Sequence, residues 1–369
     1  MYKRQFQKLL DESSDKLDIV KTNDDDVAAL IYTSGTTGTP KGVMLTHSGL
    51  SFVAKAQQDT TNLPQDLVTI AVLPLCHSFG VGMMNGAFLR YHGKVVIMRQ
   101  FNLEQLFSNI QKYKVQSVPA VPTMYIYMLM YPDADKYDVS SVWNWVCGSA
   151  PLSVDTWRQF KEKFGGEIAE GWGLTEAGAV NSGQAHVPLK KPGSIGLTMK
   201  GMEMKIFDDN DKEMPQGKEG EIVLRGPMVM KGYWKLPEAT AEIIKNNWLH
   251  TGDIGYVDPD GYFFITDRKK DIIIKGGENI SPRSIEEVLY SHPSIAEAAV
   301  IGIKDPVYGE DIKACVTLKP GQTATPEEIK EYCTGKLKRF FVPKEIVIMA
   351  ALPKTLVGKI LKKELRKMK

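Results

Sequence analysis

The alternation of apolar and polar segments predicts an α/β architecture for the first half of the chain. Short apolar runs at 27–32 (VAALIY), 67–75 (LVTIAVLPL) and 93–98 (GKVVIM) have the length of buried strands. Residues 1–16 and 103–113 (LEQLFSNIQKY) instead have the period of amphipathic helices. Strands that alternate with helices favour a mainly parallel sheet covered by helices.

The pattern changes after about residue 186. Short strands separated by Gly, Pro, Asp and Asn turns predict a small antiparallel, β-barrel-like sheet. The charged segment 267–271 (DRKKD) resembles a hinge, and a compact α+β module follows it. We therefore predict an incomplete N-terminal α/β subdomain at 1–185, a β-rich subdomain at 186–266 and a C-terminal α+β domain at 267–369.

Composition narrows the class of protein. The chain has 369 residues, 43% hydrophobic and 24% charged, which suits two or three globular domains and excludes a disordered chain. A mean hydropathy of −0.21 without a long apolar run predicts no transmembrane span, and the N-terminus lacks a signal-peptide pattern. The four cysteines are dispersed, which argues against a zinc site and predicts a cytoplasmic protein. A net charge of +2 gives no reason to expect nucleic acid.

The segment Thr33–Gly42 (TSGTTGTPKG) is the clearest chemical motif. Glycines allow backbone N–H groups to turn toward an anion, hydroxyls donate to phosphate oxygens, and a lysine adds positive charge. The Walker pattern is not met, because Pro40 stands at the position of its second glycine and Gly42 at its Ser/Thr position. The residues predicted to bind phosphate are Thr33, Ser34, Gly35, Thr36, Thr37, Gly38 and Lys41.

Four further segments follow this loop in a fixed order. They are 171–176 (GWGLTE), 248–253 (WLHTGD), 267–279 (DRKKDIIIKGGEN) and 353–360 (PKTLVGKI). Together with the phosphate loop they resemble the motifs of the adenylate-forming superfamily, which includes acyl-CoA synthetases, luciferases and peptide-synthetase adenylation domains. Within it, the chain is most similar to bacterial fatty-acid ligases.

The resemblance implies a two-step reaction and a two-part fold. A carboxylic acid, expected to be a fatty acid, attacks ATP with Mg²⁺ to give an acyl-adenylate and pyrophosphate. A small mobile C-terminal domain then rotates about Lys270, and coenzyme A displaces AMP. Basic residues are in excess from Lys270 onward, which suits the phosphates of coenzyme A.

The resemblance also implies roles for individual residues. Lys359 would bridge the carboxylate and the α-phosphate, Thr175 would donate to phosphate, and Glu176 would hold Mg²⁺. His77 would stand at the carboxylate entrance, although a buried structural histidine is the alternative interpretation. The remaining predicted binding residues are Gly148, Ser149, Ala150 and Pro151 (adenine and acyl tail), Gly171, Trp172 and Gly173 (adenine), Asp253 and Arg268 (ribose), and Lys275, Gly276 and Gly277 (thiol side).

Two features depart from the family pattern. Trp172 stands where tyrosine is more common, and either ring offers a flat stacking face. Only 32 residues precede Thr33, where family members carry a segment the size of a small domain. The latter predicts exposed apolar surface and association with a second copy or a complementing chain. The alternatives are an inactive or partner-dependent truncated homologue, and an adenylation domain that delivers to a carrier-protein thiol.

Overall fold

The computed structural model describes residues 2–16, 18–33, 40–61, 64–89, 92–185, 187, 189–355 and 358–368. The predicted phosphate-binding residues Ser34, Gly35, Thr36, Thr37 and Gly38 lie outside these described residues. Within them, no helix is long and apolar enough to cross a membrane.

The helices follow the amphipathic segments of the sequence. They are α1 (Tyr2–Glu12), α2 (His47–Thr61), α3 (Ser78–Leu89), α4 (Leu103–Tyr113), α5 (Pro122–Met130), α6 (Val154–Phe164), α7 (Pro237–Ile243), α8 (Pro282–Tyr290), α9 (Pro326–Thr334) and α10 (Lys362–Leu365). Local chemistry sets several of their starts. The side chain of Asn102 accepts a hydrogen bond from Gln105 N before α4, and Thr325 and Glu328 form a capping box before α9.

The strands are mostly short. They are β1 (Val27–Thr33), β2 (Lys41–Thr46), β3 (Val68–Ala71), β4 (Lys94–Ile97), β5 (Ser117–Ala120), β6 (Asn144–Cys147), β7 (Ile168–Trp172), β8 (Ser182–Gly183), β9 (Ser194–Thr198), β10 (Glu203–Phe207), β11 (Gly220–Arg225), β12 (Gly232–Tyr233), β13 (Ile244–Lys245), β14 (Trp248–Val257), β15 (Phe263–Arg268), β16 (Ile273–Lys275), β17 (Glu278–Ile280), β18 (Ile295–Asp305), β19 (Gly309–Leu318) and β20 (Glu345–Ile348).

A parallel sheet occupies the first half of the chain, as the alternation of elements predicts. Its strand order is β4–β3–β5–β6–β7, and all four pairings are parallel. The sheet and its helices bury a core that includes Phe107, Tyr125, Trp145 and Phe160. The last three rings meet edge to face, with centroids 5.0–6.5 Å apart. This core fixes the carboxyl ends of β5, β6 and β7, where several predicted site residues stand.

An antiparallel sheet continues directly from the parallel one. Strand β8 pairs with β7 and with β9, and the order then runs β9–β15–β14–β11–β10. The limit predicted at residue 185 therefore falls between two paired strands, β8 and β9. A small separate sheet, β1–β2–β12, lies beside this assembly and carries both ends of the phosphate loop.

The structure corrects the expectation for residues 27–32. This run was predicted to be a buried strand before a ligand loop, but β1 forms an antiparallel hairpin with β2 and is largely exposed. Leu30 is 41% exposed and Tyr32 is 62% exposed. The physical reason is that a strand in a small sheet buries one face, here through Ile31, and leaves the other open.

The C-terminal part forms its own layer of sheet and helices. Strands β17–β16–β19–β18 are antiparallel, and β20 adds to β19 in parallel. Helices α8 and α9 cover this sheet over a core that includes Ile285, Ile312 and Ile329. The predicted fold class, a large α/β part with a small C-terminal α+β part, is confirmed. The predicted domain limits stay predictions.

Candidate functional site

The β1–β2 hairpin holds the two ends of the phosphate loop together. Thr33 pairs with Lys41 at the end of the hairpin that adjoins the connecting loop. The Thr33 hydroxyl lies 3.5 Å from the Lys41 carbonyl oxygen. The Lys41 ammonium lies 4.8 Å from the ring centroid of Tyr233, which β12 presents beside β2. A cation over an aromatic face is held without losing its charge. Lys41 therefore remains available to an anion in the loop.

Tyr233 also contacts the predicted magnesium ligand. Its hydroxyl donates to Glu176 Oε1 at 2.8 Å, and the Met230 amide donates to the Glu176 carbonyl at 2.8 Å. Burial, and then the nearby Glu176 carboxylate, raise the pKa of Tyr233 well above its ordinary value. The tyrosine is therefore a permanent donor that orients the carboxylate. Sequence reasoning did not assign Tyr233, and nothing in GYW distinguishes it from a packing residue.

A single carboxylate, that of Glu176, would suit a Mg²⁺ ion that also binds the phosphates of a nucleotide. Mg²⁺ usually takes one or two protein carboxylates and completes its shell with water and substrate phosphates. No cluster of three or more His, Cys, Asp or Glu side chains with metal-binding geometry occurs in the described part of the chain. The Glu176 carboxylate, which Tyr233 orients, would suit an ion that arrives with ATP.

We expect Tyr233→Phe to weaken the response to magnesium while preserving the lysine contact. The variant keeps the ring beneath Lys41 and removes only the hydrogen bond to Glu176. One hydrogen bond to a charged carboxylate corresponds to roughly a 10- to 100-fold change. The Mg²⁺ concentration that half-saturates ATP binding, measured by calorimetry, should rise by that factor. Tyr256→Phe, whose ring stacks on Phe264 5.1 Å away, is the matched control. An unchanged Mg²⁺ requirement would remove Tyr233 from the site.

Thr175 lies in the turn that follows β7. Its hydroxyl donates to Ser78 Oγ at 3.0 Å, and both residues are buried. Ser78 begins α3, so this bond joins the segment around His77 to the segment around Glu176. Thr175 is a predicted site residue, whereas Ser78, which positions it, is not.

Asp253 and Arg268 face each other across the β14–β15 pair. Arg268 Nε lies 2.7 Å from Asp253 Oδ1, and the Trp172 indole N–H donates to Oδ2 at 2.9 Å. Asp253 is only 3% exposed, and its charge is the main cause of the raised pKa of Arg268. Within the described part of the chain, no donor hydrogen is aligned with Oδ1 in spite of the short ion-pair distance. That oxygen retains the capacity to accept a hydrogen bond, which suits a ribose hydroxyl.

A cleft of about 60 Å³ connects several of the predicted residues. Its lining consists of His77, Ser78, Phe79, Val146, Cys147, Gly148, Ser149, Gly171, Trp172, Gly173, Ala179 and Val180. Two backbone positions shape it. Ser149 has a left-handed φ of 69°, and a Cβ on Gly173 would lie 1.7 Å from the Ala179 carbonyl oxygen. Ala150 and Pro151 continue the chain from Ser149 toward α6. A larger, open cleft of about 540 Å³ beside β4 and α4 contains none of the predicted residues.

His77 stands at this cleft with a defined tautomer. Its Nδ1 accepts a hydrogen bond from the Phe79 amide at 3.2 Å, so the neutral ring carries its proton on Nε2. Burial and the nearby Lys359 charge lower the pKa of His77. A neutral histidine beside a lysine leaves the lysine as the cation that meets an incoming carboxylate.

Lys359 comes from the C-terminal part and lies close to these groups. Its backbone is fixed by Thr355, whose hydroxyl accepts from Lys359 N at 3.1 Å and whose amide donates to Lys359 O at 2.8 Å. Burial, and then the positive charge of Arg268, lower the pKa of Lys359 to about 7, and Asp253 opposes this shift. The structure therefore gathers Lys359, Arg268, Asp253 and His77, which are far apart in the sequence.

We expect ATP binding at pH 8 to take up a proton at Lys359. A pKa of about 7 leaves the amine mostly neutral at pH 8, and the triphosphate charge raises that pKa. Calorimetry in buffers of different ionisation enthalpy should show an uptake approaching one proton, absent in Lys359→Met. Equal uptake by both proteins would contradict this assignment.

Lys359 should also make the free energy of unfolding depend on pH. Because the pKa of Lys359 in the folded chain lies below the unfolded value of about 10.4, the free energy of unfolding should rise between pH 7 and 10.

The predicted thiol-side residues lie elsewhere in this orientation. Lys275 is buried, and its ammonium lies 2.6 Å from Asp311 Oδ1 and donates to the Phe340 carbonyl at 3.2 Å. Gly276 donates to the Tyr308 carbonyl, and both Gly276 and Gly277 have positive φ. The structure does not bring this loop to the cleft. Lys270 lies in the turn between β15 and β16, where the predicted hinge would be.

Comparison with known proteins agrees with these arrangements. The model of the AMP-binding enzyme family matches residues 2–234, and that of the AMP-binding enzyme C-terminal domain matches residues 284–359. The chain therefore belongs to the AMP-binding enzyme family.

Two curated relatives cover almost the whole chain. It is 39% identical over 360 residues to a long-chain-fatty-acid–CoA ligase of Bacillus subtilis (strain 168), covering 96% of this chain and 64% of the relative. It is 38% identical over 360 residues to a feruloyl-CoA synthase of Amycolatopsis, covering 97% and 73%. The chain thus spans about two thirds to three quarters of the length of these relatives.

A solved structure agrees with the arrangement of the two parts. ATP-bound MatB from Rhodopseudomonas palustris has a TM-score of 0.90 at 30% identity, covering 98% of this chain and 72% of that one. The apo form of MatB covers the same shares at 31% identity with a TM-score of 0.75.

Proposed function

We propose that this chain activates a carboxylic acid with ATP and passes the acyl group to coenzyme A. One observation carries the proposal above the others: the charges of Arg268 and Asp253 act on Lys359, and Lys359 in turn acts on His77, which lines the cleft between β6 and β7. A lysine in that position can neutralise a carboxylate and an α-phosphate as they approach. Two anions react only when such groups offset their repulsion and align them.

In the first step, a carboxylate oxygen attacks the α-phosphorus and the bond to the pyrophosphate oxygen breaks. Lys359 holds the carboxylate and an α-phosphate oxygen, while Lys41 and Thr33 face the outer phosphates at the loop. Asp253 accepts from the ribose, and Tyr233 orients Glu176. Glu176 would hold Mg²⁺, which would supply positive charge to neutralise the triphosphate.

In the second step, the sulfur of coenzyme A attacks the carbonyl carbon and AMP leaves with its phosphate oxygen. In the present orientation, Lys359 lies within electrostatic range of His77 at the cleft, and the Lys275–Gly277 loop does not line the cleft. Rotation at Lys270 would exchange them, since a few residues at a hinge can absorb such a change. The resemblance in fold to an ATP-bound relative supports assigning the present orientation to the first step.

A fatty acid is the proposed substrate class, with aromatic propenoic acids as the competing class. The relatives' names include both a long-chain-fatty-acid ligase and a feruloyl-CoA synthase. The cleft includes the apolar side chains of Phe79, Val146 and Val180 and does not decide between the two classes.

The purified chain should release AMP in the presence of ATP, Mg²⁺ and a carboxylic acid, and the rate should rise with coenzyme A. A panel from acetate to palmitate, with ferulate and 4-coumarate, ranks the substrates. AMP release that a phosphopantetheinylated carrier protein stimulates, and coenzyme A does not, would favour a peptide-synthetase-type function. No carboxylate-dependent turnover by a folded chain would favour an inactive or partner-dependent homologue.

We propose a cytoplasmic location, which suits four free cysteines and the use of ATP.

Association with a second copy or another chain is supported by the open face of the β1–β2–β12 sheet. There Leu30, Tyr32 and Trp234 surround Gly42, and all three are more than 40% exposed. Sedimentation of the chain should show a species heavier than 41.1 kDa. A purely monomeric chain that turns over substrate would exclude such a requirement.

A further inference from the structure

The segment that contains Lys359 contacts α5, a helix of the parallel-sheet part. The Thr123 hydroxyl, in the first turn of α5, lies 3.3 Å from the Gly358 carbonyl oxygen. Gly358 has a φ of +80°, and a Cβ there would lie 3.2 Å from Val121 Cγ2. The residue before Lys359 is therefore in direct contact with α5 and its preceding residue.

A buried ion pair of the C-terminal part meets the same helix. Glu297, on β18, is 4% exposed, and its Oε1 lies 2.7 Å from the Lys354 ammonium. Glu297 Oε1 also lies 3.2 Å from the Thr123 hydroxyl, so one hydroxyl proton is within reach of two acceptors. Lys354 in turn donates to the Tyr127 hydroxyl at 3.1 Å and lies 5.3 Å from the centre of that ring.

Thr123 and Tyr127 are four residues apart, so they lie on the same face of α5. Neither side chain lines the cleft, and neither touches Asp253, Arg268 or His77 in the described contacts. Among the described residues, their polar contacts to the C-terminal part go to Glu297, Lys354 and Gly358. An effect of these two residues on chemistry would therefore be transmitted through the Lys359 segment.

The ion pair and the helix contacts differ in what a rotation would do to them. Glu297 and Lys354 both belong to the C-terminal part, so their pairing persists in any orientation of that part. The contacts to Thr123 and Tyr127 cross between the two parts and are lost when the orientation changes. The contacts on this face of α5 therefore form only in the present orientation of the C-terminal part. The Glu297–Lys354 ion pair is already formed before it meets α5.

We propose that Thr123 and Tyr127 are positioning residues that hold Lys359 in place for adenylate formation. The proposal rests on the proposed function, since it assigns these residues to its first step. It assigns no contact between them and the substrate. Loss of either contact should slow the step that needs Lys359 in the cleft, and should leave unaffected or accelerate the step that needs it withdrawn.

The test separates the two half-reactions in four single variants. Thr123→Val and Tyr127→Phe each remove one hydroxyl with little change in shape. We expect each to lower the rate of carboxylate-dependent pyrophosphate release about three- to tenfold, as for one hydrogen bond. The rate of thioester formation from supplied acyl-adenylate should stay the same or rise. Thr123→Ser should restore the first rate, and Tyr131→Phe, at the other end of α5, should leave both rates unchanged.

A structural role alone would lower both rates and the melting temperature together, and that result would overturn the proposal. An unchanged rate of pyrophosphate release in both Thr123→Val and Tyr127→Phe would also overturn it.

Hydrogen exchange gives a readout that does not need activity. Amides in 353–361 should exchange faster in Thr123→Val than in the unmodified chain, while amides in 122–130 keep their protection. If the unmodified chain makes no adenylate, the proposed function fails. Faster exchange in the variant would then still support the docking contact, and equal exchange would overturn it.

Discussion

Lys359→Ala is expected to abolish adenylate formation and spare thioester formation. The lysine lies beside Arg268, Asp253 and His77, where charge concentrates when a carboxylate meets an α-phosphate. Removal of one group that stabilises such charge typically lowers a rate about 10²- to 10³-fold. Pyrophosphate release in a single turnover should fall by at least that factor. Thioester formation from supplied acyl-adenylate should change less than twofold if Lys359 acts only in the first step.

Lys363→Ala is the matched control, because it removes the same charge from an exposed position on α10. It should leave both half-reactions unchanged. The melting temperature of Lys359→Ala should not fall, since burial already disfavours the ammonium form in the free protein. Equal loss of the two half-reactions would contradict the account, because a lysine that leaves the cleft cannot serve the second step.

Asp253→Asn is expected to weaken ATP binding by roughly 10- to 100-fold, the effect of losing hydrogen bonds to a charged acceptor. Asparagine has nearly the same shape and can still accept from the Trp172 indole. It cannot neutralise Arg268, and one of its two terminal atoms is a donor rather than an acceptor. Calorimetric titration with ATP gives the change in affinity.

The proposed ribose contact gives this variant a specific signature. The unmodified chain should bind ATP more tightly than its 2′-deoxy or 3′-deoxy analogue, and Asp253→Asn should lose most of that preference. Asp258→Asn is the control, since Asp258 is also ion-paired, to Lys191, but is not part of the cleft. Full retention of the preference in Asp253→Asn would exclude Asp253 from ribose binding.

Capping residues and apolar periodicity predicted the helices whose ends they determine. The helix predicted at 103–113 matches α4, because Asn102 caps it and its apolar period is regular. Helices α8 and α9 also begin at a local signal, a proline that follows the capping residues Ser281 and Thr325. Strand β14, which carries Asp253, was not predicted, because His250, Gly252 and Asp253 interrupt its apolar pattern. Of these residues, Asp253 pairs with Arg268 and Trp172, while His250 contacts Glu221.

The positions of the site residues in the sequence could not predict that these residues lie close together in the fold. Asp253 and Lys359 are more than a hundred positions apart, and only resemblance to a family linked them. Tyr233, Thr123 and Glu297 were missed because each is ordinary by itself. Their roles depend on partners that β12, α5 and β18 bring to them, so they become visible only when the fold is known.

The central claim is that a carboxylate oxygen of the substrate attacks the α-phosphorus of ATP in this site. The most direct measurement uses a carboxylic acid labelled with ¹⁸O in both oxygens, with ATP, Mg²⁺ and coenzyme A. Mass spectrometry of the products should find one ¹⁸O atom in AMP and none in pyrophosphate. Label in pyrophosphate or inorganic phosphate, or AMP without label during thioester formation, would contradict the account.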